Sequence, residues 1–419
     1  MNQASETTGI RRVNYYSRNF SKWVLLSVLV GCFVGGAATL FGHILLYVND
    51  FRNAHSQIVW LLPFAGPVIV FLYRISGSVN PRGTNLVIEA ARSEENLPSR
   101  MAPLIFISTI LTHLCGGSAG REGAALQLGG SLGQLLGDGL QIEDHSRNIM
   151  VMCGMSAGFS ALFGTPIAAA IFPLGLASIG MIYYTALVPC TVSSLIAYGI
   201  ALQFGLHPER FALADTDPEL LLMLRVALLA ILCAVVSILM CAVLHKTGSL
   251  FQSIFPNPYL RIIIGGSLVC LGAILFGHDY LGAGMHLIER AVAEGYAVPA
   301  AFLLKMIFTA VTLGSGYKGG EIVPTLFVGA TFGCTAGGLL GISPSLAAAL
   351  SMIAVFCGVT NCPVVSLLLA FELFGFAAPE YFLLAVAISY MLSGYRSLYS
   401  AQKIVHPKTE FAQLHRSTH

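Results

Sequence analysis

Apolar runs dominate the chain, and glycine and proline divide them into pieces of uneven length. A polar leader, residues 1–22, carries Arg11, Arg12, Arg18 and Lys22, and a charge-free run over residues 24–48 follows it. That run is too long for a signal-peptide core, so it predicts a retained membrane helix, and the basic leader predicts a cytoplasmic N-terminus. Residues 58–73 read as an apolar helix, and residues 74–100 as a polar loop with a short amphipathic piece. Residues 182–204, 220–244 and 259–276 read as full spans, and residues 276–294 as a polar, glycine-containing connection. A helix over residues 300–313 carries Lys305, whose ammonium is expected to snorkel. Residues 371–398 close the bundle.

Two stretches, 148–208 and 322–371, contain no Asp, Glu, Lys or Arg. Each is long enough to cross a hydrocarbon core of about 30 Å more than once, at ~20 residues per helix. Gly164-Thr165-Pro166 and Asn361-Cys362-Pro363 break them, which predicts tilted, re-entrant or half-spanning helices. Irregular backbone at that depth is tolerated only where it lines a cavity or is buried in protein.

The chain also repeats. Leu126, Gly129, Gly133 and Gly137 meet Leu326, Gly329, Gly333 and Gly337 two hundred positions later. In each half a glycine-rich turn bearing a glutamate precedes this helix, and a proline break (Pro166, Pro363) follows it. Duplicated halves whose broken helices meet at the midplane are a plan shared by many secondary transporters. The GxxxG spacing predicts close helix packing.

Composition supports the pattern. Only 10% of the 419 residues are charged, against about 25% in soluble domains, so the chain is read as an all-α polytopic membrane protein. A net charge of +2 is too small to imply nucleic acid. The ten cysteines are scattered singly and read as small hydrophobes rather than metal ligands or a disulfide set. No HExxH or His/Asp cluster suggests an enzyme, a metal or a cofactor. A cation or metabolite carrier would need acidic or carbonyl-lined sites.

Chemistry concentrates in three turns, each ahead of an apolar helix: Gly83-Thr84-Asn85-Leu86, Gly120-Arg121-Glu122-Gly123, and the stretch from Gly314 to Pro324. Helix N-termini aimed at one point offer free N–H groups and partial positive charge. Such a site binds an anion without a full charge, so the ion can still leave. The expected anion contacts are Thr84, Asn85, Gly120, Arg121, Gly123, Ile322, Val323 and Tyr399. Glu122 reads as a carboxylate that an ion displaces and a proton neutralises, or as half of a salt bridge with Arg121. Glu321 in the mirror turn reads as a second proton carrier, or as the partner of Lys318. Tyr399 offers a phenol to an anion or sits in an interfacial belt. His113 reads as a satisfied helix histidine and Glu372 as a buried structural acceptor.

With the Gly-Arg-Glu-Gly turn, the Gly-Ser-Gly…Gly-Gly-x-x-x-Pro turn and the late tyrosine in this order, the chain resembles the CLC family of chloride channels and anion/proton antiporters over about residues 24–400. The resemblance implies a homodimer with one pore per subunit and a CLC-type bundle of tilted, broken helices with an inverted repeat. It also implies a gating, proton-carrying glutamate at Glu122 and a central anion-coordinating tyrosine at Tyr399.

Three departures matter. Gly77-Ser78-Val79-Asn80-Pro81 only echoes the first loop of the chloride branch, and Thr84 with Asn85 fits the spacing to Glu122 better. Gly319-Gly320-Glu321 is similar to the fluoride-exporting branch. Gly175 and Leu176 stand where chloride/proton exchangers carry an intracellular proton-uptake glutamate.

The chain is thus expected to divide into a cytoplasmic leader (1–22), a first membrane half (23–204), a second, inverted half (205–400) and a cytoplasmic tail (401–419). The expected protein is a homodimeric anion transporter in a bacterial inner membrane, surrounded by lipid. It would export fluoride against protons, or serve as a chloride channel or exchanger.

Overall fold

The computed structural model describes residues 3–78, 82–92, 95–214, 216–408 and 416–417. Residues 79–81 of the first-loop echo and residues 409–415 and 418–419 of the tail lie outside them. Helices come first as α1 (Gln3–Ala54), α2 (Leu62–Ile75), α3 (Thr84–Ala91), α4 (Met101–Leu114), α5 (Glu122–Gly139), α6 (Asp144–Phe163), α7 (Pro166–Leu176) and α8 (Leu187–Gln203). They continue as α9 (Leu220–Ile254), α10 (Pro258–Phe276), α11 (Met285–Glu289), α12 (Ala301–Ser315), α13 (Ile322–Leu340), α14 (Pro344–Thr360), α15 (Pro363–Phe374) and α16 (Pro379–Leu392). Residues 178–179, 403–404 and 416–417 form a small three-stranded sheet, which ties the tail back to the turn after α7.

The breaks fall where the sequence places them. Gly164 (φ +71°) and Asn361 (φ +58°) end α6 and α14 in the left-handed conformation, and Pro166 and Pro363 begin α7 and α15. Proline fits there because the first helical N–H has no intrahelical acceptor anyway. The leader is not a separate coil, since α1 runs unbroken from Gln3. α9 extends ten residues beyond the expected end, to Ile254.

The duplicated helices form the centre. A window of α13 is 78% buried, against 33% for α10, so α13 lies inside protein while α10 faces outward. A Cβ on Gly329 would lie 2.6 Å from Ser351 O, so α13 meets α14 backbone to backbone. Gly129 and Gly133 make the same close approach to Gly154 and Met150 on α6. Small residues at a helix interface permit this in lipid.

One expectation is corrected. Lys305 does not snorkel: it is fully buried, and its ammonium donates to Tyr280 O (3.1 Å) and Gly282 O (2.6 Å). The residue 276–294 connection folds into the protein, with α11 and a following π turn, and its irregular carbonyls need a buried donor. The short reach to them outcompetes the distance to the interface.

Candidate functional site

The two glutamate turns are tied to each other by their backbones. Gly120 N donates to Gly320 O and Gly320 N donates to Gly120 O, both at 2.7 Å. A second reciprocal pair flanks this bridge. Ser118 N donates to Thr312 Oγ1 (3.1 Å), and Lys318 N donates to Thr112 Oγ1 (3.3 Å). Each pair exchanges residues two hundred positions apart, so the turns are related by a local two-fold axis. Glycine is required here, because a Cβ on Gly123 would lie 2.9 Å from Gly320 Cα.

Gly120 therefore does not offer its N–H to an ion, contrary to expectation; that N–H is already committed to Gly320 O. The free donors lie one step further on. In α5 the first backward helical bond is Ala125 N to Arg121 O, and in α13 it is Thr325 N to Glu321 O. The amides of Glu122 and Gly123, and of Ile322 and Val323, precede those bonds and have no intrahelical acceptor. Ile322 and Val323 are buried.

Glu122 is 1% exposed. Its Oε2 accepts from Arg121 N at 3.0 Å, and its Oε1 lies 3.4 Å from Arg121 Nε. The carboxylate thus folds over its own helix start, in the place an anion would take. Arg121 also reaches Glu209 at 3.9 Å. Both readings of Glu122 are present in one geometry: it is ion-paired, and it fills the cradle.

Glu321 has no such partner. Among the described residues no ion pair joins it to Lys318, whose ammonium sits 5.0 Å above the Tyr73 ring. Its carboxyl instead interacts with the buried Tyr399 phenol, and its Oε2 lies 3.3 Å from where a Cβ of Gly123 would be. Tyr399 is 1% exposed, so it is no belt residue.

A cavity of about 610 Å³ reaches this point, lined by Thr84, Asn85, Gln127, Lys318, Glu321 and Tyr399 among others. Glu122, Arg121, Gly123, Ile322 and Val323 lie beyond its end. Thr84 and Asn85 begin α3; Thr84 Oγ1 accepts from Gln127 Nε2 (3.1 Å), and Asn85 Oδ1 accepts from Ala401 N (3.1 Å). That leaves the Asn85 amide N–H₂ and the Thr84 hydroxyl O–H as side-chain donors of this loop.

Gln127 escaped the sequence reading. Its signal was an amide side chain within the glycine- and leucine-rich run of α5, a signal that Gln134 on the same helix shares. Gln402 was missed too; its side chain donates to Leu176 O (2.9 Å) and Thr360 O (2.8 Å), fixing the Tyr399 segment. His113 is buried, with Nε2 3.3 Å from Gly120 O at the bridge. Glu372 accepts from Ile167 N and Ala168 N, each at 2.8 Å, and so caps α7. Gly175 and Leu176 put no carboxyl at the position expected for proton uptake.

Paired helix starts around a buried carboxylate, in a duplicated bundle of broken helices, define a membrane transporter for anions. The family described as voltage gated chloride channel matches residues 68–394. The chain belongs to that family and is a CLC-type anion transporter. It is 32% identical over 400 residues to a chloride/fluoride channel protein of Pseudomonas syringae pv. tomato, covering 93% of this chain and 88% of the relative. It is 25% identical to the H(+)/Cl(-) exchange transporter ClcA of Vibrio vulnificus, over 84% and 81% of the two chains. Its structure is similar to that of a CLC-type fluoride/proton antiporter, with a TM-score of 0.89 and 32% identity over 92% of this chain and 98% of the other.

Proposed function

We propose that this protein exports fluoride in exchange for protons. The observation that carries the reading is Glu321: a partly buried carboxyl without a cation among the described residues, lining the same cavity as Tyr399 and interacting with its phenol. Fluoride is small and a strong hydrogen-bond acceptor, so a site for it must replace its hydration with short donors. Asn85 N–H₂, the Tyr399 phenol, the amides of Ile322 and Val323, and a protonated Glu321 carboxyl supply them. The relatives whose names include fluoride support the choice of ion.

Glu122 and fluoride compete for the start of α5. When the ion arrives, the Glu122 carboxylate leaves the cradle, takes a proton from the side it faces, and carries it inward on return. One proton enters as the anion leaves. With no carboxyl at Gly175 or Leu176, Glu321 is the group that hands the proton to the inner side. The arginine-bearing loop after α2 marks that side as cytoplasmic. We place the protein in the bacterial inner membrane as a homodimer, one pathway per subunit.

Liposomes loaded with fluoride or chloride, with external pH recorded, test this. Fluoride should leave at least as fast as chloride, with alkalinisation outside. Rapid chloride release with retention of fluoride would replace the proposal by a chloride exchanger or channel.

A further inference from the structure

A second cavity of about 520 Å³ opens between α2, α10 and the end of α12. Arg74, Arg261 and Lys318 line it together with Tyr73 and Tyr259, and no Asp or Glu does. Among the described residues none of the three cations is in an ion pair. Arg261 Nε only leans on Ser315 O at 3.4 Å, and Lys318 only covers the Tyr73 ring. The positive end of the α10 dipole points the same way. Three unbalanced cations beside a helix start describe a receptor for an anion that is doubly oxygenated and larger than a halide. Arginine pairs bidentately with phosphate.

The surroundings describe the rest of the ligand. Phe71 and Ile75 on α2 and Leu260 and Ile263 on α10, the two helices that bound the cavity, leave apolar surface exposed. A phosphate in the cavity with an acyl chain along that surface would satisfy both. Lys318 also lines the transport cavity, three residues before Glu321. One side chain thus faces both the lateral cavity and the ion path.

We infer that this cavity binds a phosphate-bearing anion, foremost the headgroup of an anionic phospholipid, and that Lys318 relays its occupancy to the ion path. A bound phosphate draws on the Lys318 charge, so the vestibule attracts the transported anion less and captures it more slowly.

Binding is measured on the full-length protein in neutral detergent, by titration with short-chain phosphatidylglycerol, short-chain phosphatidylcholine or inorganic phosphate. Phosphatidylglycerol should bind about tenfold more tightly than the zwitterionic lipid, and Arg74→Gln/Arg261→Gln should remove that preference. Arg74 is exposed, so Arg74→Gln alone serves if the double variant misfolds. Inorganic phosphate that displaces phosphatidylglycerol at similar concentration makes free phosphate the ligand. Equal binding of the two lipids, or a preference unchanged in the variants, overturns the site.

The relay is read separately as ion flux, an arm that rests on the transport reading; the binding arm does not. Phosphatidylglycerol vesicles should slow the wild type about threefold relative to the Arg74→Gln/Arg261→Gln variant, while both meet the same surface potential. Identical lipid dependence in the two proteins overturns the relay.

Discussion

Laid over each other two hundred positions apart, Gly120 falls on Gly320, Arg121 on Glu321 and Glu122 on Ile322. The backbones match, down to the reciprocal hydrogen bonds, but the acids are out of step by one residue. In a helix one residue is about 100° of rotation. Glu122, the first residue of α5, therefore folds back over its own helix start. Glu321, the cap of α13, points across to Gly123 and Tyr399. The shift also decides charge: Arg121 stands beside Glu122, whereas its counterpart in the second turn is the acid itself. Duplication supplied one scaffold, and a one-residue offset made two different carboxyl sites on it.

The most damaging way to break this comparison is through the shared backbone. A Cβ on Gly320 would lie 2.5 Å from Gly123 N, so Gly320→Val cannot keep both turns. Overpacking of this kind costs about 1–3 kcal/mol or more, and here it strikes two helix starts at once. We expect loss of folded protein and of all flux, read from thermal unfolding and vesicle efflux. Gly139→Ala, with open space around it, should leave both unchanged.

Next come the acids themselves. Glu122→Gln keeps the shape but cannot exchange a proton, so ion movement should no longer change pH. In the wild type an outside acid step should speed anion release, because each leaving anion is exchanged for an entering proton; in Glu122→Gln that dependence should vanish. A proton flux that survives in folded Glu122→Gln protein would remove this residue from the coupling. Glu321→Gln should act more selectively. Loss of one charge-assisted contact, about 1.5–3 kcal/mol, predicts fluoride flux lowered about tenfold or more, with chloride flux less affected. Equal losses for the two ions would deny the second turn its part in selecting fluoride.

Much of this was legible in the sequence because it is written in backbone terms. Glycine turns, proline starts and GxxxG spacing dictate local geometry, and Gly164-Thr165-Pro166 and Asn361-Cys362-Pro363 fell where expected. The repeat exposed the pairing of the turns. What stayed hidden depends on long-range contacts. Gly120 looked like an anion donor until Gly320 claimed its N–H. Lys305 looked like a snorkelling lysine until two loop carbonyls, 23 and 25 residues upstream, appeared within its reach. Gln402 lay in what read as a mere tail segment. The one-residue offset between the acids was visible in the alignment, but its consequence for direction was not.

The smallest effect is expected at Tyr399, and it sharpens the comparison most. Tyr399→Phe keeps the buried ring and deletes one hydroxyl. A single neutral hydrogen bond contributes about 0.5–1.5 kcal/mol, so fluoride flux should fall about two- to tenfold with the unfolding temperature nearly unchanged. The phenol interacts foremost with Glu321 and least with Glu122. If it belongs to the second turn, Tyr399→Phe should add little once Glu321→Gln is in place, because neighbours that act through one contact are not additive. Combined with Glu122→Gln it should lose nearly its full single effect again, because those two residues share no hydrogen bond. The double-mutant cycle on flux measures both couplings. Additivity with Glu321→Gln would mean that the phenol serves the ion directly, and that the second turn is no more its partner than the first.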